Sequence, residues 1–435
     1  FMEKLDVRTK VAVVGLGYVG LPLAVAFAEH FPTVGYDCSR EKIECYRQGR
    51  DVTEEVGDRA LAGSALTCTT DPSVLKEIDF IIVAVPTPVN LERLPDLGLV
   101  REASRTIGRN LSRGTIVCYE STVYPGVTET VCGPILEQES GLKAGLDFHL
   151  AYSPERINPG DRIHRLQNIC KIVSGDDKAT RDRVAALYGT IIQADLFPVS
   201  SIRVAEAAKL IENTQRDVNI AFMNEVAMAC HAMGIDTCEV ADAMDTKWNA
   251  LHFRPGLVGG HCIGVDPYYF VYEAKREGYL SALTALSRHI NEGMADYVVQ
   301  ETLRQMILGD LRIRRAHVVL LGLTFKADCS DLRNSKALEI FRKLRQMGIP
   351  VQATDPVADP DRLPEDVREA FIPVEEIRDA HVLLFAVRHR TFREWTAEDL
   401  QARYAADVPS RILIDVKGMY RKDEMEKAGF QYWRL

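Results

Sequence analysis

Residues 10–20 read KVAVVGLGYVG. A short β-branched apolar run ends in Gly15, Gly17 and Gly20, and an apolar pattern compatible with a helix follows. Glycines at these offsets form a tight turn, let the backbone approach a pyrophosphate, and let the next helix pack closely on the strand. The stretch therefore predicts the strand, turn and helix that open a dinucleotide-binding α/β domain.

A second strand is predicted at residues 33–36, and it ends at Asp37. A carboxylate at this point accepts hydrogen bonds from a ribose diol and repels a 2′-phosphate, which favours NAD over NADP. Arg40 weakens that preference slightly, although it is also an ordinary solvated residue of a first helical turn. NAD is the expected cofactor, and the expected contacts are Gly15, Gly17, Tyr18, Val19, Gly20, Asp37, Thr87 and Thr122.

Three further apolar runs predict strands of the same sheet, at residues 80–85, 115–119 and 148–152. In doubly wound sheets, ligands bind beyond the carboxyl ends of the strands. The polar loops that follow these three strands contain Thr87, Thr122 and Glu155. We expect these side chains to face the cofactor crevice, although each is also an ordinary turn residue.

The composition changes after residue 200. From Ser201 to Gly234 the chain is rich in alanine, which predicts a helix about 50 Å long that ends at the glycine. It is apolar on too many faces for one small domain, so we expect it to be buried between domains or subunits of a homodimer or larger oligomer. Lys209 and Asn213 share one face of it. They are either a donor pair for an oxyanion or, for the lysine, a snorkelling surface residue.

Further helices are predicted at 235–248 and 282–308, and strands return at 317–321, 351–354, 381–387 and 411–416. The last part lacks the three-glycine turn, so it could bind a nucleotide but not a second NAD. The predicted fold class is α/β, with two Rossmann-like doubly wound domains joined by a long central helix and a helical middle domain. The expected domains are residues 1–200, 201–308 and 309–435.

Residues 255–269 read PGLVGGHCIGVDPYY. Four glycines and two prolines predict a shaped loop, neither a helix nor a central strand. Small neighbours would let a ligand approach Cys262, and Asp266 supplies a carboxylate four residues later. A lone cysteine is also commonly a small buried hydrophobe, so this loop alone leaves both interpretations open.

Composition excludes several function classes. The net charge of -9 argues against nucleic acid or an anionic membrane as the main partner. No apolar run reaches the roughly 18 residues needed to span a bilayer, and no signal peptide is expected. Ten cysteines without a C-x-x-C pair fit neither a zinc site nor a disulfide framework. We therefore expect a cytoplasmic protein without a metal, despite His261 beside Cys262.

Five motifs together carry a resemblance: GLGYVG, ESTVYPG, SPER, GGHCIGVD and FKADCSDLRNS. With them the chain resembles the nucleotide-sugar 6-dehydrogenase family over nearly its whole length. The resemblance implies that Cys262 is the nucleophile with Asp266 as its partner, and that Glu155 and Thr122 serve base chemistry and hydrolysis. It assigns Lys209 and Asn213 to the oxyanion. The implied substrate contacts are Glu155, Arg156, Lys209, Asn213, Arg254, Gly259, Lys326 and Arg333.

The centre of the cysteine loop favours one branch of that family. UDP-glucose enzymes typically carry Ser-Cys-Phe there and a lysine before the aspartate, whereas this chain has His261-Cys262-Ile263 and Val265. This resembles the branch that oxidises UDP-N-acetylhexosamines at C6 with two NAD, for surface polysaccharide precursors. UDP-GlcNAc or UDP-GalNAc is the expected substrate, with UDP-glucose and UDP-ManNAc as alternatives. A one-hydride β-hydroxyacid dehydrogenase and a non-catalytic NAD-binding regulator are the remaining rivals.

Overall fold

The computed structural model describes residues 5–90, 92–156 and 165–435. Within those ranges the strands form two sheets. The first sheet contains β1 (Val11–Val14), β2 (Thr33–Tyr36), β3 (Thr67–Thr69), β4 (Phe80–Val83), β5 (Ile116–Tyr119), β6 (His149–Tyr152), β7 (Lys171–Gly175) and β8 (Leu196–Pro198). The second contains β9 (Val318–Leu321), β10 (Val351–Thr354), β11 (Val382–Phe385), β12 (Arg411–Asp415) and β13 (Phe430–Arg434).

The helices alternate with these strands along the chain, and those within residues 202–308 make up the part of the sequence between β8 and β9. They are α1 (Gly20–Ala28), α2 (Arg40–Arg47), α3 (Asp58–Ala62), α4 (Gly98–Gly108), α5 (Gly133–Ser140), α6 (Lys178–Tyr188), α7 (Ile202–Met233), α8 (Thr237–Asp245), α9 (Asp266–Arg276), α10 (Ala282–Leu308), α11 (Lys336–Gln346), α12 (Glu365–Arg368), α13 (Arg390–Arg393), α14 (Ala397–Gln401) and α15 (Lys422–Lys427). No helix in the described ranges is both long and apolar enough to cross a membrane.

The first sheet has the strand order β3-β2-β1-β4-β5-β6-β7-β8. The first six strands in this order are parallel, and their order is that of a dinucleotide-binding fold. Strands β1, β4 and β5 are buried at every position, as expected for strands covered on both faces. The carboxyl ends of β1, β2, β4, β5 and β6 therefore lie along one edge.

Strands β7 and β8 extend this sheet in a way that the sequence pattern did not predict. β7 runs antiparallel to β6, pairing Ala151 with Gly175 and Tyr152 with Ser174. The start of β7 consequently lies beside the carboxyl end of β6. β8 is parallel to β7.

The second sheet has the order β10-β9-β11-β12-β13, with all neighbours parallel. Its core includes Val318, Leu320 and Ile414, packed with Met294 and Val298 of α10. This is the other common order of doubly wound sheets, and its direction changes between β9 and β11. The loop after β9 thus begins at the point where such sheets bind ligands.

The chain folds into two compact units. The first comprises Phe1–Glu212 with Tyr268–Leu280, and the second comprises Asn213–Pro267 with Ser281–Leu435. Both α7 and α9 contribute to each unit.

Helix α7 is continuous over 32 residues, as the alanine-rich composition predicted. The Ser201 hydroxyl accepts a hydrogen bond from the Val204 amide at its start, and Gly234 adopts a φ of 71° after its end. One stripe of the helix is apolar and uncovered in the single chain. It consists of Val204, Ile211, Phe222 and Met233, which are 44%, 49%, 55% and 63% exposed and recur at spacings of two or three helical turns.

This stripe leads to the first testable prediction, that the protein is a homodimer or larger. Phe222→Glu should shift the wild-type oligomer towards monomer, because a charge would have to be desolvated where the apolar stripe is covered. Sedimentation at micromolar concentration measures the change. Leu146→Glu is the matched control, since Leu146 is 82% exposed but lies outside α7. A monomeric wild-type protein would contradict the prediction.

The prediction that residues 255–269 form a loop throughout is wrong at its end. Helix α9 begins at Asp266, so the last four residues of the stretch are helical. Pro267 stands in the first turn, where the missing amide hydrogen is tolerated and the fixed φ suits a helix. Residues 255–265 contain no helix or strand.

Candidate active site

The turn after β1 has the shape needed to hold a pyrophosphate. Gly15 adopts a φ of 93°, and a Cβ on Gly20 would lie 1.8 Å from the Gly15 carbonyl oxygen. A Cβ on Gly17 would meet nothing within 4 Å, so this backbone faces open space at the amino end of α1. The residues present therefore fit a dinucleotide: Gly15 makes the turn, Gly20 packs closely against it, and Gly17 leaves room for a pyrophosphate. Tyr18 and Val19 are half-buried in the same turn.

Asp37 is buried at the carboxyl end of β2, next to this turn. Its Oδ2 accepts a hydrogen bond from the Leu16 amide at 2.9 Å and lies 3.5 Å from Lys42 Nζ, while Oδ1 accepts from the Ser39 amide at 2.9 Å. A carboxylate has about four acceptor positions, so one remains for a ribose hydroxyl. Arg40 is exposed at the start of α2.

The second prediction concerns cofactor choice. Asp37→Ala should lower the ratio of kcat/KM for NAD to that for NADP at least about tenfold, corresponding to ~1.4 kcal/mol, because the acceptor for the ribose diol is lost. Steady-state kinetics with both cofactors measures it. Asp182→Ala, which removes a carboxylate from α6, is the control. An unchanged preference would show that Asp37 does not select the cofactor.

The first unit places three further predicted residues along the same edge. Thr87, Thr122 and Glu155 follow β4, β5 and β6, and the first two are half-buried. Glu155 is buried, and its Oε2 accepts a hydrogen bond from Lys171 Nζ at 2.8 Å. Lys171 Nζ also donates to Glu120 Oε2 at 3.1 Å. A candidate base is thus part of a buried ionic cluster.

Burial governs the charge of that cluster. Removal from water raises the pKa of Glu120 to about 7, because the attraction of Lys171 offsets only part of the desolvation and Glu155 repels it. Burial alone would lower the pKa of Lys171, but the two carboxylates raise it above its usual value. The lysine is therefore an ammonium at neutral pH, facing two carboxyl groups.

Two more predicted residues of the first unit are held by α7. Arg156 donates from Nη2 to Glu212 Oε1 at 2.6 Å, and its side chain is 14% exposed. Lys209 is buried on the same helix, 5% exposed. An exposed snorkelling lysine, the ordinary alternative for this position, is thereby excluded.

In the second unit, Asn213 and Asp266 are brought together. Both are buried at 2% exposure, and the Asn213 amide nitrogen donates to Asp266 Oδ2. The Cys262 carbonyl oxygen accepts from the amides of Val265 and Asp266, at 3.0 and 2.8 Å, which ties the cysteine to the first turn of α9. The spacing of four residues between Cys262 and Asp266 is therefore one turn of chain, and the Cys262 side chain is half-buried.

The cysteine loop packs against residues 325–335, the FKADCSDLRNS segment after β9, within the same unit. A Cβ on Gly259 would lie 2.7 Å from the Asn334 carbonyl oxygen, and one on Gly260 would lie 2.8 Å from the Phe325 ring. The Gly260 carbonyl oxygen accepts from Asn334 Nδ2 at 3.0 Å. The glycines of the loop thus allow a close backbone approach to the segment after β9.

Charged groups of that segment are paired with one another. His261 Nε2 lies 2.7 Å from Asp331 Oδ2, and Arg333 Nη2 donates to the same oxygen at 2.8 Å. Burial alone would raise the pKa of Asp331, but these hydrogen bonds hold it well below its usual range. Arg333 Nη1 makes no hydrogen bond to the described residues, and Lys326 Nζ lies 5.6 Å from the centre of the Phe325 ring.

Asn224 fixes the start of the cysteine loop. Its Oδ1 accepts from the Gly256 amide at 2.7 Å and its Nδ2 donates to the Gly256 carbonyl oxygen at 3.0 Å. The same Nδ2 donates to Asn291 Oδ1 at 2.8 Å. The Asn224 side chain thus accepts one hydrogen bond from Gly256 and donates one to it, which holds the backbone of this residue in a single orientation. Nearby in sequence, Arg254 pairs with Asp242 at 2.9 Å and with Asp245 at 2.5 Å.

All ten cysteines are free thiols. Burial raises the pKa of Cys68 to about 11 and that of Cys132 to about 12. Five are buried, three are half-buried and two, Cys38 and Cys170, are exposed. The buried ones are Cys45, Cys68, Cys118, Cys132 and Cys230, and the half-buried ones are Cys238, Cys262 and Cys329.

Three groups of this site were missed by reasoning from the sequence: Glu120, Lys171 and Asn224. Glu120 reads as a turn residue after β5, and Lys171 opens an unpredicted strand. Among the residues that the structure describes, one group with metal-ligand chemistry occurs, His149 with Asp176 and Asp177, but it lies at the amino end of β6, away from the edge that carries the site.

Three family models match successive regions of the chain. Profiles of the UDP-glucose/GDP-mannose dehydrogenase family match residues 9–192 with the NAD-binding domain, 203–293 with the central domain and 319–422 with the UDP-binding domain. UDP-N-acetyl-D-glucosamine 6-dehydrogenases of Pseudomonas aeruginosa and Salmonella typhi are 45% and 43% identical. The matches cover 96% and 94% of this chain and 98% and 96% of theirs.

A solved structure agrees with this assignment over the whole fold. The UDP-D-ManNAc dehydrogenase of Pyrococcus horikoshii superposes with a TM-score of 0.87 at 30% identity, covering 98% of this chain and 99% of the other. The same family is indicated by three matched domains, by two full-length relatives and by the arrangement of the dinucleotide turn. The chain therefore belongs to the UDP-glucose/GDP-mannose dehydrogenase family and is an NAD-dependent UDP-sugar dehydrogenase.

Proposed function

We propose that the protein oxidises C6 of a UDP-N-acetylhexosamine, UDP-GlcNAc or UDP-GalNAc, to the corresponding uronic acid. The observation that carries this is the pair of full-length relatives at 43% and 45% identity, both named for UDP-N-acetyl-D-glucosamine. The neighbour named for UDP-ManNAc is 30% identical. The His261-Cys262-Ile263 centre of the loop supports the same branch. The product would serve as a precursor of a surface polysaccharide.

The reaction removes four electrons from one carbon. One primary alcohol, one water and two NAD⁺ give one carboxylate, two NADH and three protons. The cofactor supplies a two-electron hydride acceptor, and Gly15, Gly17, Gly20 and Asp37 are the residues that would hold it. Between the two hydride transfers an aldehyde exists, which must neither escape nor hydrate.

Cys262 meets that requirement in this proposal. Its thiolate adds to the aldehyde carbon, forming a C–S bond and a thiohemiacetal. Loss of the second hydride from C6 leaves a thioester, and water then cleaves the C–S bond, returning the thiol and releasing the acid. The half-buried position of Cys262 on a glycine-walled loop is compatible with access by a sugar.

Lys209 and Asn213 supply donors for the oxyanion at C6, and preorganised donors of this kind are each worth roughly 3 kcal/mol. Both are buried, so their hydrogen bonds act with little competition from water. Asp266, which accepts from Asn213, orients that amide. Glu155 takes the proton of the attacking water, with Thr122 beside it on the sheet edge.

Lys326 and Arg333 would bind the pyrophosphate of UDP, with Arg156, Arg254 and Gly259 as further substrate contacts.

The number of NADH formed per sugar tests the proposal. UDP-GlcNAc, UDP-GalNAc, UDP-ManNAc and UDP-glucose are supplied side by side in limiting amounts, and NADH is followed by absorbance. We expect two NADH per molecule with one of the first two sugars. One NADH per molecule would indicate a one-hydride dehydrogenase, and none would indicate a regulator. A preference for UDP-ManNAc or UDP-glucose would overturn the choice of sugar.

A further inference from the structure

The ionic cluster of Lys171, Glu120 and Glu155 contains two groups that the proposed chemistry does not use. The side chains of Lys171 and Glu120 are 3% and 0% exposed, and that of Glu155 is 6% exposed. Replacing a buried ion pair by apolar residues of similar volume is often neutral or stabilising. The stability of the domain therefore does not explain why three charged groups occupy this position.

The sheet register explains how the lysine reaches the candidate base. β6 and β7 are antiparallel, with Tyr152 opposite Ser174. Continuing this register past the end of β6 brings Glu155 opposite Lys171, where their side chains point to the same face. Lys171 Nζ also donates to the Pro154 carbonyl oxygen at 3.3 Å, so it fixes the backbone before Glu155 as well as the carboxylate.

Glu120 completes the arrangement. It follows β5, the strand on the other side of β6 from β7. Its Oε2 accepts from Lys171, and its Oε1 accepts from the Tyr188 hydroxyl. Lys171 Nζ lies 4.8 Å from the centre of the Tyr188 ring, and Cys118 Sγ lies 3.9 Å from the Tyr188 oxygen. One ammonium thus faces two carboxyl groups in a setting where water does not compete.

We infer that Lys171 is a positioning residue for the oxidation: it holds the Glu155 carboxylate towards the carboxyl edge of the sheet, and Glu120 is the second carboxyl group that anchors the ammonium. This inference rests on the proposed role of Glu155. With both carboxyl groups ionised the cluster has one excess negative charge, and with one proton it is neutral. Interacting groups of this kind titrate as a unit.

The charge balance predicts opposite shifts of the pH–rate profile when Lys171 and when Glu120 is replaced. In Lys171→Met the two carboxyl groups lose the cation between them, so ionising both becomes less favourable and the acid limb of the pH profile should move to higher pH. In Glu120→Gln the repelling carboxyl is absent, so the base form exists at lower pH. Because burial raises the pKa of Glu120 to about 7, both changes occur in a range that is easily measured.

The experiment is a pH–rate profile of kcat and kcat/KM for the wild type, Lys171→Met, Lys171→Arg and Glu120→Gln. We expect the acid limb of Lys171→Met to move up by about one pH unit and kcat to fall about 100-fold, since misplacing a reacting group by about 1 Å has that effect. Glu120→Gln should move the limb down, and Lys171→Arg should restore much of the rate. Lys343→Met, which removes an ion pair with Asp296 in the other unit, should keep the wild-type profile.

A second measurement needs no substrate. Infrared titration of the holoenzyme follows the bands of protonated buried carboxyl groups, and the spectrum of Glu120→Gln is subtracted from that of the wild type. Burial also raises the pKa of Glu206 to about 7, and the subtraction cancels its band. The difference band of Glu120 should vanish near pH 7. If the difference band behaves so while no sugar is oxidised, the proposed function fails and the coupling of Glu120 to Lys171 stands. Unmoved limbs in both variants, with NAD binding near normal, would overturn the inference whether or not thermal unfolding changes, because a purely structural role alters stability alone and leaves the pH profile in place.

Discussion

Cys262→Ser is expected to lower steady-state turnover by several powers of ten while the protein still binds NAD and UDP-sugar. Serine keeps the shape of the loop but replaces a good nucleophile and leaving group with a poor one, so release of the acyl group becomes very slow. Each tenfold loss corresponds to about 1.4 kcal/mol of barrier. The measurements are NADH per active site and intact mass, in which an ester-linked sugar acid would appear as added mass.

Two further variants make that result interpretable. Cys262→Ala should block the route to the acid and retain nucleotide binding, because no covalent intermediate can form. Cys170→Ser, at an exposed thiol of the first unit, should turn over normally. If both Cys262 variants gave two NADH per sugar at nearly the wild-type rate, the cysteine would be a packing residue and the covalent mechanism would be wrong.

Lys209→Met should have the second largest effect, a fall in kcat of about 10²–10³ with a much smaller change in KM. In the proposed mechanism the buried Lys209 side chain donates a hydrogen bond to the developing oxyanion, so its contribution arises mainly in the transition state. Asn213→Ala should act in the same direction, and it would also leave Asp266 without the amide that now donates to it. Lys275→Met, an exposed lysine on α9, serves as the control. A variant that raised KM alone would place Lys209 in ground-state binding.

The parts of the site that the sequence predicted are those fixed by local rules. Gly15, Gly17 and Gly20 have backbone requirements that can be read from their spacing, and Asp37 follows from the end of the next strand. The polar residues Thr122 and Glu155 were placed at the sheet edge because parallel strands end together. The loop around Cys262 was recognised from its glycines, which exclude regular structure.

The parts that were missed depend on pairing between distant segments. Lys171 reaches Glu155 only because β7 joins the sheet antiparallel to β6, and nothing in the sequence of β7 states its direction. Asn224 lies in the middle of a helix, where its contact with the Gly256 peptide depends on the packing of a loop 32 residues away. The helical start at Asp266 was missed because proline was taken as a helix breaker, whereas it is favourable in a first turn.

The distribution of thiols has a practical consequence for studying the protein. Five of the ten cysteines are buried, and those whose pKa is raised by burial remain protonated and unreactive at neutral pH. An alkylating reagent at that pH therefore has few targets, with Cys38 and Cys170 as exposed competitors. In a protein that carries serine in place of Cys38, Cys170, Cys238 and Cys329, Cys262 is the remaining thiol that is not buried. Protection by UDP-sugar against alkylation would then count functional sites, and electrophilic sugar analogues could be screened as covalent inhibitors by mass alone.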